Sequence, residues 1–520
     1  MLEPNRPINR SAPDSAHSSD FYRISTVMFP NPRLAHSVLL FTLPLTACTV
    51  GPDYVRPQAN ISNEFKEAQG WKPAQPRDTA LPGKWWEIFN DPILNGLEEQ
   101  VLGANQSIVQ AEAQYRQAQH LVQSAQSSLL PVATLTGTFN RFKAATGQSV
   151  AVSGVRNLFG QAVGVAWEPD LWGTVRRQIE ANTGNAQASA ATLHALILSS
   201  QASLADNYFQ LRTLDAQKAL LDETVTAYSK TLEITQNRYA VGVVAKADVV
   251  QAETQLETAR AQSIDLGVQR AKLEHAIAVL IGKTPAELAL APAPLNLQPP
   301  GIPVSLPSEL LERRPDIAAA ERKIAAANAQ IGVAKAAYYP TLNLATTNGF
   351  QSPTADNLFT MARRYWALGP AGLALTLFDG GAKNAQYKQA IDAYDASVAG
   401  YRQTVLTGFQ EVEDNLAALR ILDEETQVQD KAVAAAKHAL ALTNNQYQAG
   451  TVSYLNVMTA QTAALSNQQT AVQLLGQRLS ASVQLVKAVG GGWNETLLPS
   501  EDQAAGERKW TDYLILPLVE

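Results

Sequence analysis

Asn237-Arg238-Tyr239-Ala240-Val241-Gly242 and Asn445-Gln446-Tyr447-Gln448-Ala449-Gly450 each lie between two long helical patterns and share one shape. Their glycines stand 208 residues apart (450 − 242), and the same offset carries Asp206-Asn207 onto Asp414-Asn415, Leu211-Arg212 onto Leu419-Arg420 and Leu214-Asp215 onto Leu422-Asp423. It also carries Leu232 onto Leu440 and Gly282 onto Gly490. Register held over such a span marks a tandem duplication of one long helical hairpin, with the two quoted stretches as its tips.

Proline placement sets where helices can run. Prolines are absent between Pro169 and Pro285 and between Pro370 and Pro499, and they crowd from Pro52 to Pro92 and from Pro285 to Pro315. A proline in a helix interior removes a hydrogen bond and clashes with the preceding turn, so the two empty windows are the helical ones. Their Ala, Gln, Leu, Thr and Glu content fits. The outgoing helix of the first half, near 175–239, is on the order of 100 Å long at 1.5 Å per residue, too long for the core of a globule. Leu221, Val225, Tyr228, Leu232, Thr235 and Tyr239 keep a four-three spacing, as do Val433, Ala436, Leu440, Thr443 and Tyr447. That is a narrow coiled-coil seam on an otherwise polar surface, which suits a rod or the wall of a tube. Return helices are expected near 247–280 and 453–489. A third helix in each half, at about 94–129 and 315–337, supplies the remaining length.

Between helices the period changes to two. Strands are expected near 132–142, 159–168, 341–350 and 368–378, with Leu135 and Phe139 on one face of the first and Thr134, Thr136 and Thr138 on the other. About ten residues is the length of a tilted membrane-spanning strand. Four strands cannot close a barrel, and an open edge is not tolerated in lipid. Spanning therefore requires several copies: two would give eight strands and three would give twelve. A small soluble sheet is the alternative.

Residues 1–47 read as a signal segment, with the apolar run Val38-Leu39-Leu40-Phe41-Thr42-Leu43 behind Arg33 and His36, too short to span a bilayer. Glu3, Asp14 and Asp20 suit such a leader poorly, so translation is expected to start at Met28. Cys48, the single cysteine, follows Leu45-Thr46-Ala47 in the manner of a lipid-attachment cysteine. Residues 48–93 read as a lipidated tether, its irregular Pro-rich part giving way to Trp85-Trp86 and then to Asp91-Pro92, which open a helix. Repeat 1 is placed at 94–282, with its tip near 239–247. A Pro-rich connector follows at 283–314, then repeat 2 at 315–492 with its tip near 447–455, and a tail at 493–520.

Six histidines, His17, His36, His120, His194, His275 and His438, are scattered without metal-ligand spacing, and no phosphate loop is present. No enzyme, cofactor or metal is therefore expected beyond lipid on Cys48. The net charge of −6 argues against a nucleic-acid surface. Arg313-Arg314-Pro315-Asp316 reads as a helix start, Pro315 occupying the first turn.

Several separate motifs together resemble one family. They are Cys48 with Gly51-Pro52-Asp53-Tyr54, the Trp85-to-Pro92 block, Leu306-Pro307-Ser308-Glu309-Leu310-Leu311-Glu312-Arg313-Arg314-Pro315-Asp316-Ile317, Ile331-Gly332-Val333-Ala334-Lys335-Ala336-Ala337-Tyr338-Tyr339-Pro340, Leu377-Phe378-Asp379-Gly380-Gly381 and Gly490-Gly491-Gly492-Trp493. From Cys48 to Trp493 the chain resembles the outer-membrane efflux lipoproteins of Gram-negative bacteria, the exit ducts of tripartite drug-efflux pumps. The resemblance implies a mainly α fold with a small transmembrane β part: a homotrimer whose helical hairpins form a twelve-helix tube and whose four strands per chain join a 12-stranded barrel. It also implies an equatorial domain around the connector and tail. The implied partners are a periplasmic adaptor, an inner-membrane pump and outer-membrane lipid. With Thr49 rather than aspartate after Cys48, it implies delivery to the outer membrane.

On matching positions the resemblance gives gating and adaptor docking to Tyr239, Gly242 and Asp248 of the first tip and to Tyr447, Gly450, Leu455 and Asn456 of the second. Asn456 and Thr459 stand where relatives often carry acids, so closure is expected from apolar packing of Leu455 rather than from a carboxylate ring. Arg238 and Asp248 offer an opposite-charge lock across the tip, against which solvated charges are the default. The competing reading is a lipid-anchored periplasmic coiled-coil adaptor or scaffold without a membrane barrel.

Overall fold

The computed structural model describes residues 49–58, 65–67, 83–143, 154–295, 297–302 and 313–507. The signal segment 1–47, the lipid-attachment residue Cys48 and parts of the tether, connector and tail lie outside the described residues. In chain order the elements are α1 (Pro92–Ala104), α2 (Gln106–Ser127), β1 (Val132–Lys143), β2 (Val155–Trp167), α3 (Thr174–Ala240), α4 (Lys246–Leu280), α5 (Pro315–Ala336), β3 (Thr341–Ser352), β4 (Arg364–Ala374), α6 (Ala382–Gln448), α7 (Tyr454–Ala488) and α8 (Glu501–Ala504). The outgoing helices α3 and α6 each have 67 residues and the return helices α4 and α7 each have 35. Their starts keep the sequence offset: Thr174 and Ala382, like Lys246 and Tyr454, are 208 apart (382 − 174 and 454 − 246).

The helix expected over 94–129 is two helices, a correction: the chain breaks at Asn105. The Asn105 side chain accepts from the amides of Ser107 and Ile108 to cap α2, and its Nδ2 donates to the Leu280 carbonyl at 2.8 Å. The break thus docks the end of α4 onto the α1–α2 junction. Asp91 caps α1 through the amides of Ile93 and Leu94, as expected, and also accepts from the Tyr208 hydroxyl at 2.6 Å.

The main core lies where α1, α3 and α7 meet around Trp85, Trp86, Phe89, Leu94, Tyr208 and Phe209. Both tryptophans are about 1% exposed, so they are packing residues. Glu98 of α1 is fully buried with no hydrogen-bond partner for its carboxyl among the described residues, and burial pushes that carboxyl well above the usual range, which favours its neutral form.

Around this core one trio of side chains is used twice. In repeat 1, Asp215 pairs with Arg212 (3.0 Å) and Arg270 (2.7 Å), and these arginines donate to the carbonyls of Ala291 (2.8 Å) and Leu290 (2.5 Å) of the connector. The trio 208 positions on is Arg420, Asp423 and Arg478. There Arg478 pairs with Asp423 at 2.6 Å, and Arg420 pairs with Glu67 of the tether at 2.7 Å. Glu413 holds the same piece of tether by accepting from the amides of Lys66 (2.6 Å) and Glu67 (2.8 Å). Nearer the sheet, residues 49–58 lie along α3 and α5. The Val50 amide donates to the Trp172 carbonyl (3.0 Å), Arg177 pairs with Asp53 (2.8 Å), and Asn328 donates to the Pro52 carbonyl (3.0 Å).

The four strands form one antiparallel sheet in the order β1-β2-β3-β4, with a bulge between Leu344 and Thr346. β4 runs over Arg364–Ala374 rather than 368–378, because Thr341, which follows Pro340, pairs with Ala374 and no residue beyond it finds a strand partner among the described residues. β2 starts at Val155, four residues before its expected start, since Val155 to Leu158 pair with the far end of β1. The register puts Leu135 opposite Val163, Phe139 opposite Phe159 and Leu342 opposite Leu373 on one face. Thr134, Thr136 and Thr138 share the other face with Gly164, Ala162 and Gly160. Leu135 is 68% exposed and Leu368 is 83% exposed, so the bulky face is bare in a single chain.

Candidate functional site: the paired hairpin tips

Both tips turn by the same device. At the end of α3 the Gly242 amide donates to the Tyr239 carbonyl and the Val243 amide to the Arg238 carbonyl, each at 2.9 Å. At the end of α6 the amides of Gly450 and Thr451 donate to the carbonyls of Tyr447 and Gln446, each at 3.0 Å. This double closure needs a left-handed residue after the helix, and Gly242 and Gly450 supply it with φ of 74° and 79°.

The tips differ in what their tyrosines do. Tyr447 is buried at 5% exposure, whereas Tyr239 at the matching position is 44% exposed, so the seam expected to reach Tyr239 ends at Thr235. The difference follows from position 246 and its counterpart 454. Tyr454 meets Tyr447 edge-on at 5.9 Å between ring centroids, while the ammonium of Lys246 sits 5.5 Å from the Tyr239 ring and keeps it near solvent. Burial is the main cause that pushes the Tyr454 hydroxyl up to about 12, with Tyr228, Tyr447 and Asp248 adding to it.

Tyr447 is also where the two hairpins join. Its hydroxyl lies 3.2 Å from the Thr235 hydroxyl of α3. The Arg238 guanidinium covers its ring at 4.7 Å and donates to its carbonyl oxygen. Ala252 of α4 and Val457 of α7 complete an apolar cluster with Tyr447 and Tyr454. Just beyond it the hairpins part around a cavity of about 440 Å³ lined by Tyr228, Thr231, Tyr447 and Gln461. The Gln461 amide donates to Thr231 at 3.4 Å, and its buried Oε1 accepts from nothing among the described residues.

Arg238 therefore turns to Tyr447, and among the described residues Arg238 and Asp248 form no ion pair. Asp248 stands half-buried in the first turn of α4. Leu455, at 53% exposure, Asn456 and Thr459 lie outside the seam formed by Tyr454, Val457 and Gln461, on the exposed side of α7. Thr459 donates back to the Leu455 carbonyl at 2.9 Å and is occupied within its helix. The part played by Tyr454 was not read from the sequence, although the 208-residue offset that aligns it with Lys246 marks the place where the tips differ.

A sheet with one bare apolar face, carried on helical hairpins whose outgoing helices are about 100 Å long, defines the fold class of an outer-membrane channel with a periplasmic helical extension. The family model described as "Outer membrane efflux protein" matches residues 97–283 and 306–491, one segment per half. The toluene efflux pump outer membrane protein TtgC of Pseudomonas putida is 34% identical over 480 residues, spanning 89% of this chain and 96% of the relative. The outer membrane protein OprJ of Pseudomonas aeruginosa is 30% identical over 475 residues, spanning 89% and 97%. The structure of the outer-membrane channel OprN superposes with a TM-score of 0.80 at 30% identity, covering 86% of this chain and 100% of that one. The chain belongs to the outer membrane efflux protein family, and it acts as an efflux channel of the outer membrane. That function supports the duct over the barrel-free adaptor.

Proposed function

We propose that three copies assemble into the exit duct of a tripartite pump, which passes drugs or other small molecules out of the cell from an inner-membrane pump and a periplasmic adaptor. The observation that carries this is the sheet. β1 and β4 each have one unpaired edge, and the sheet has one bulky apolar face and one face of Thr, Gly and Ala. In lipid such edges must pair, and further copies of the chain supply the partners. Three copies give a barrel of twelve strands with Leu135, Phe139 and Trp366 toward lipid and the threonines toward water. The helical hairpins of three copies then form a tube of twelve helices below it.

The tips form the periplasmic mouth and the adaptor contact, with Tyr239, Gly242 and Asp248 in one and Tyr447, Gly450, Leu455 and Asn456 in the other. Asn456 and Thr459 offer no carboxylates, so packing of Leu455 narrows the mouth. Cys48 carries the lipid. The neighbouring residues support this: Thr49 packs under Gly173 at the start of α3, and the Val50 amide donates to the Trp172 carbonyl, at the junction of sheet and helix. That junction lies at the periplasmic surface of the bilayer in this reading.

The test is the mass and membrane behaviour of the full chain. The detergent-solubilised particle is expected to contain three copies of the processed chain that begins at Cys48. The variant Cys48→Ala is expected to stay in the membrane fraction until detergent is added, because the barrel alone holds it. A monomer, or release of Cys48→Ala by salt or carbonate, would overturn the duct.

A further inference from the structure

The ends of the strands away from the helices carry an unbalanced positive charge. Over residues 132–167 and 341–374 the cations are Arg141, Lys143, Arg156, Arg363 and Arg364, and Asp356 is the single acid. This net +4 (five cations against one acid) sits in a chain whose net charge is −6. All six charges lie at or beyond the far ends of the strands, and none lies near the helical end. No ion pair joins any of these five cations among the described residues, and Arg364 donates only to the neutral Asn348 side chain at 3.3 Å. A solvated rim would be expected to balance the two signs; this one carries five cations against Asp356.

The register divides the cations between the two faces. Arg141 and Lys143 continue the alternation of Leu135 and Phe139, and Arg364 pairs with Phe350 on that same bulky face. Arg156 pairs with Phe142 on the face of Thr134, Thr136 and Thr138. Three cations per chain thus stand on the lipid side, just above Phe139, Phe159 and Trp366. An aromatic belt topped by long basic side chains is the arrangement of a barrel wall where hydrocarbon meets headgroups. Because β1 and β4 are the outer strands, closure of the barrel brings the strand bearing Arg364 beside the strand of the next copy that bears Arg141 and Lys143.

We infer that this rim binds the phosphate groups of anionic glycolipid headgroups in the outer leaflet, through Arg141, Lys143 and Arg364. The inference rests on the barrel proposed above. Guanidinium forks suit phosphate oxygens, and each cation beside an anionic surface strengthens binding by about five-fold. Arg156, on the water side, takes no part.

The experiment uses the full-length protein purified in detergent, with rough lipopolysaccharide, its enzymatically dephosphorylated form and inorganic phosphate as probes. Binding is read by native mass spectrometry and by the shift in Tm. Wild type and Arg156→Gln are expected to bind the phosphorylated glycolipid equally. The combined variant Arg141→Gln, Lys143→Gln, Arg364→Gln is expected to bind it on the order of 100-fold more weakly, with the difference shrinking at high salt. The dephosphorylated form is expected to bind all three proteins weakly, and inorganic phosphate is not expected to compete at millimolar concentration. Equal binding of phosphorylated and dephosphorylated lipid, an unaffected triple variant, an equal loss in Arg156→Gln, or full competition by inorganic phosphate would each overturn the inference. If any of these is found with intact trimers, the duct stands and the rim fails; a wild-type monomer overturns both.

Discussion

Replacing Asp215 with alanine is expected to loosen the connector by about 3–5 kcal/mol, while Asp423→Ala at the matching place in the second half costs under about 1 kcal/mol. The two aspartates occupy the same position in the repeat, and they differ in their surroundings. The Asp215 side chain is 2% exposed and lies between Arg212, at 3%, and Arg270, at 17%. Its removal leaves Arg212 with the Ala291 carbonyl and no carboxylate among the described residues, beside an Arg270 that keeps Glu274 (3.3 Å) and the Leu290 carbonyl. Asp423 is 51% exposed, so water takes over when its partner is lost. Hydrogen exchange reads the difference directly. The amides of Leu290 and Ala293 donate to Glu274 and Asp215, and they are expected to exchange at least 100-fold faster in Asp215→Ala. The amides of Lys66 and Glu67 are held by Glu413 and are expected to change little in Asp423→Ala. Equal effects at the two sites would show that burial is not what separates them.

This contrast also marks the limit of what the chain reveals before it is folded. The proline-free windows and the 208-residue offset locate all four long helices to within a residue or two, since both signals are local. The alternation of Leu135 and Phe139 with the threonines likewise assigns the faces of the sheet. Features that depend on a distant partner are the ones left unread. The break at Asn105 is fixed by Leu280, 175 residues away, and the end of β4 by the start of β3. The Arg-Asp-Arg trio is visible twice in the sequence, yet nothing local says that one copy grips the connector and the other the tether. At the tips, the glycines and tyrosines were legible and their unequal burial was not. That inequality comes from Tyr454 packing on Tyr447 where Lys246 holds Tyr239 near solvent.

The same inequality makes Arg238 the residue whose loss should most change the proposed mouth. Arg238→Ala is expected to favour parting of the two hairpins by about 2–3 kcal/mol per chain, combining a charge-assisted bond to the Tyr447 carbonyl with the guanidinium lying over its ring. This corresponds to a change of about 30- to 150-fold in the ratio of parted to joined tips. Single-channel recording in planar bilayers is expected to show larger and more frequent openings. Arg238→Lys keeps the charge and loses the fork, so it should fall between wild type and Arg238→Ala. Asp248→Ala should leave conductance unchanged, because among the described residues Asp248 makes no ion pair with Arg238. Leu455→Ala separates the two means of closure. Leu455 lies outside the joint at Tyr447, so its truncation should widen the closed mouth without altering how often the hairpins part. If Arg238→Ala conducts like wild type while Leu455→Ala opens the channel, apolar packing alone closes the mouth and the Arg238–Tyr447 joint is only structural. If both variants open it and their effects multiply, closure has two independent parts: a joint that keeps each chain's hairpins together and a constriction that the joined hairpins present.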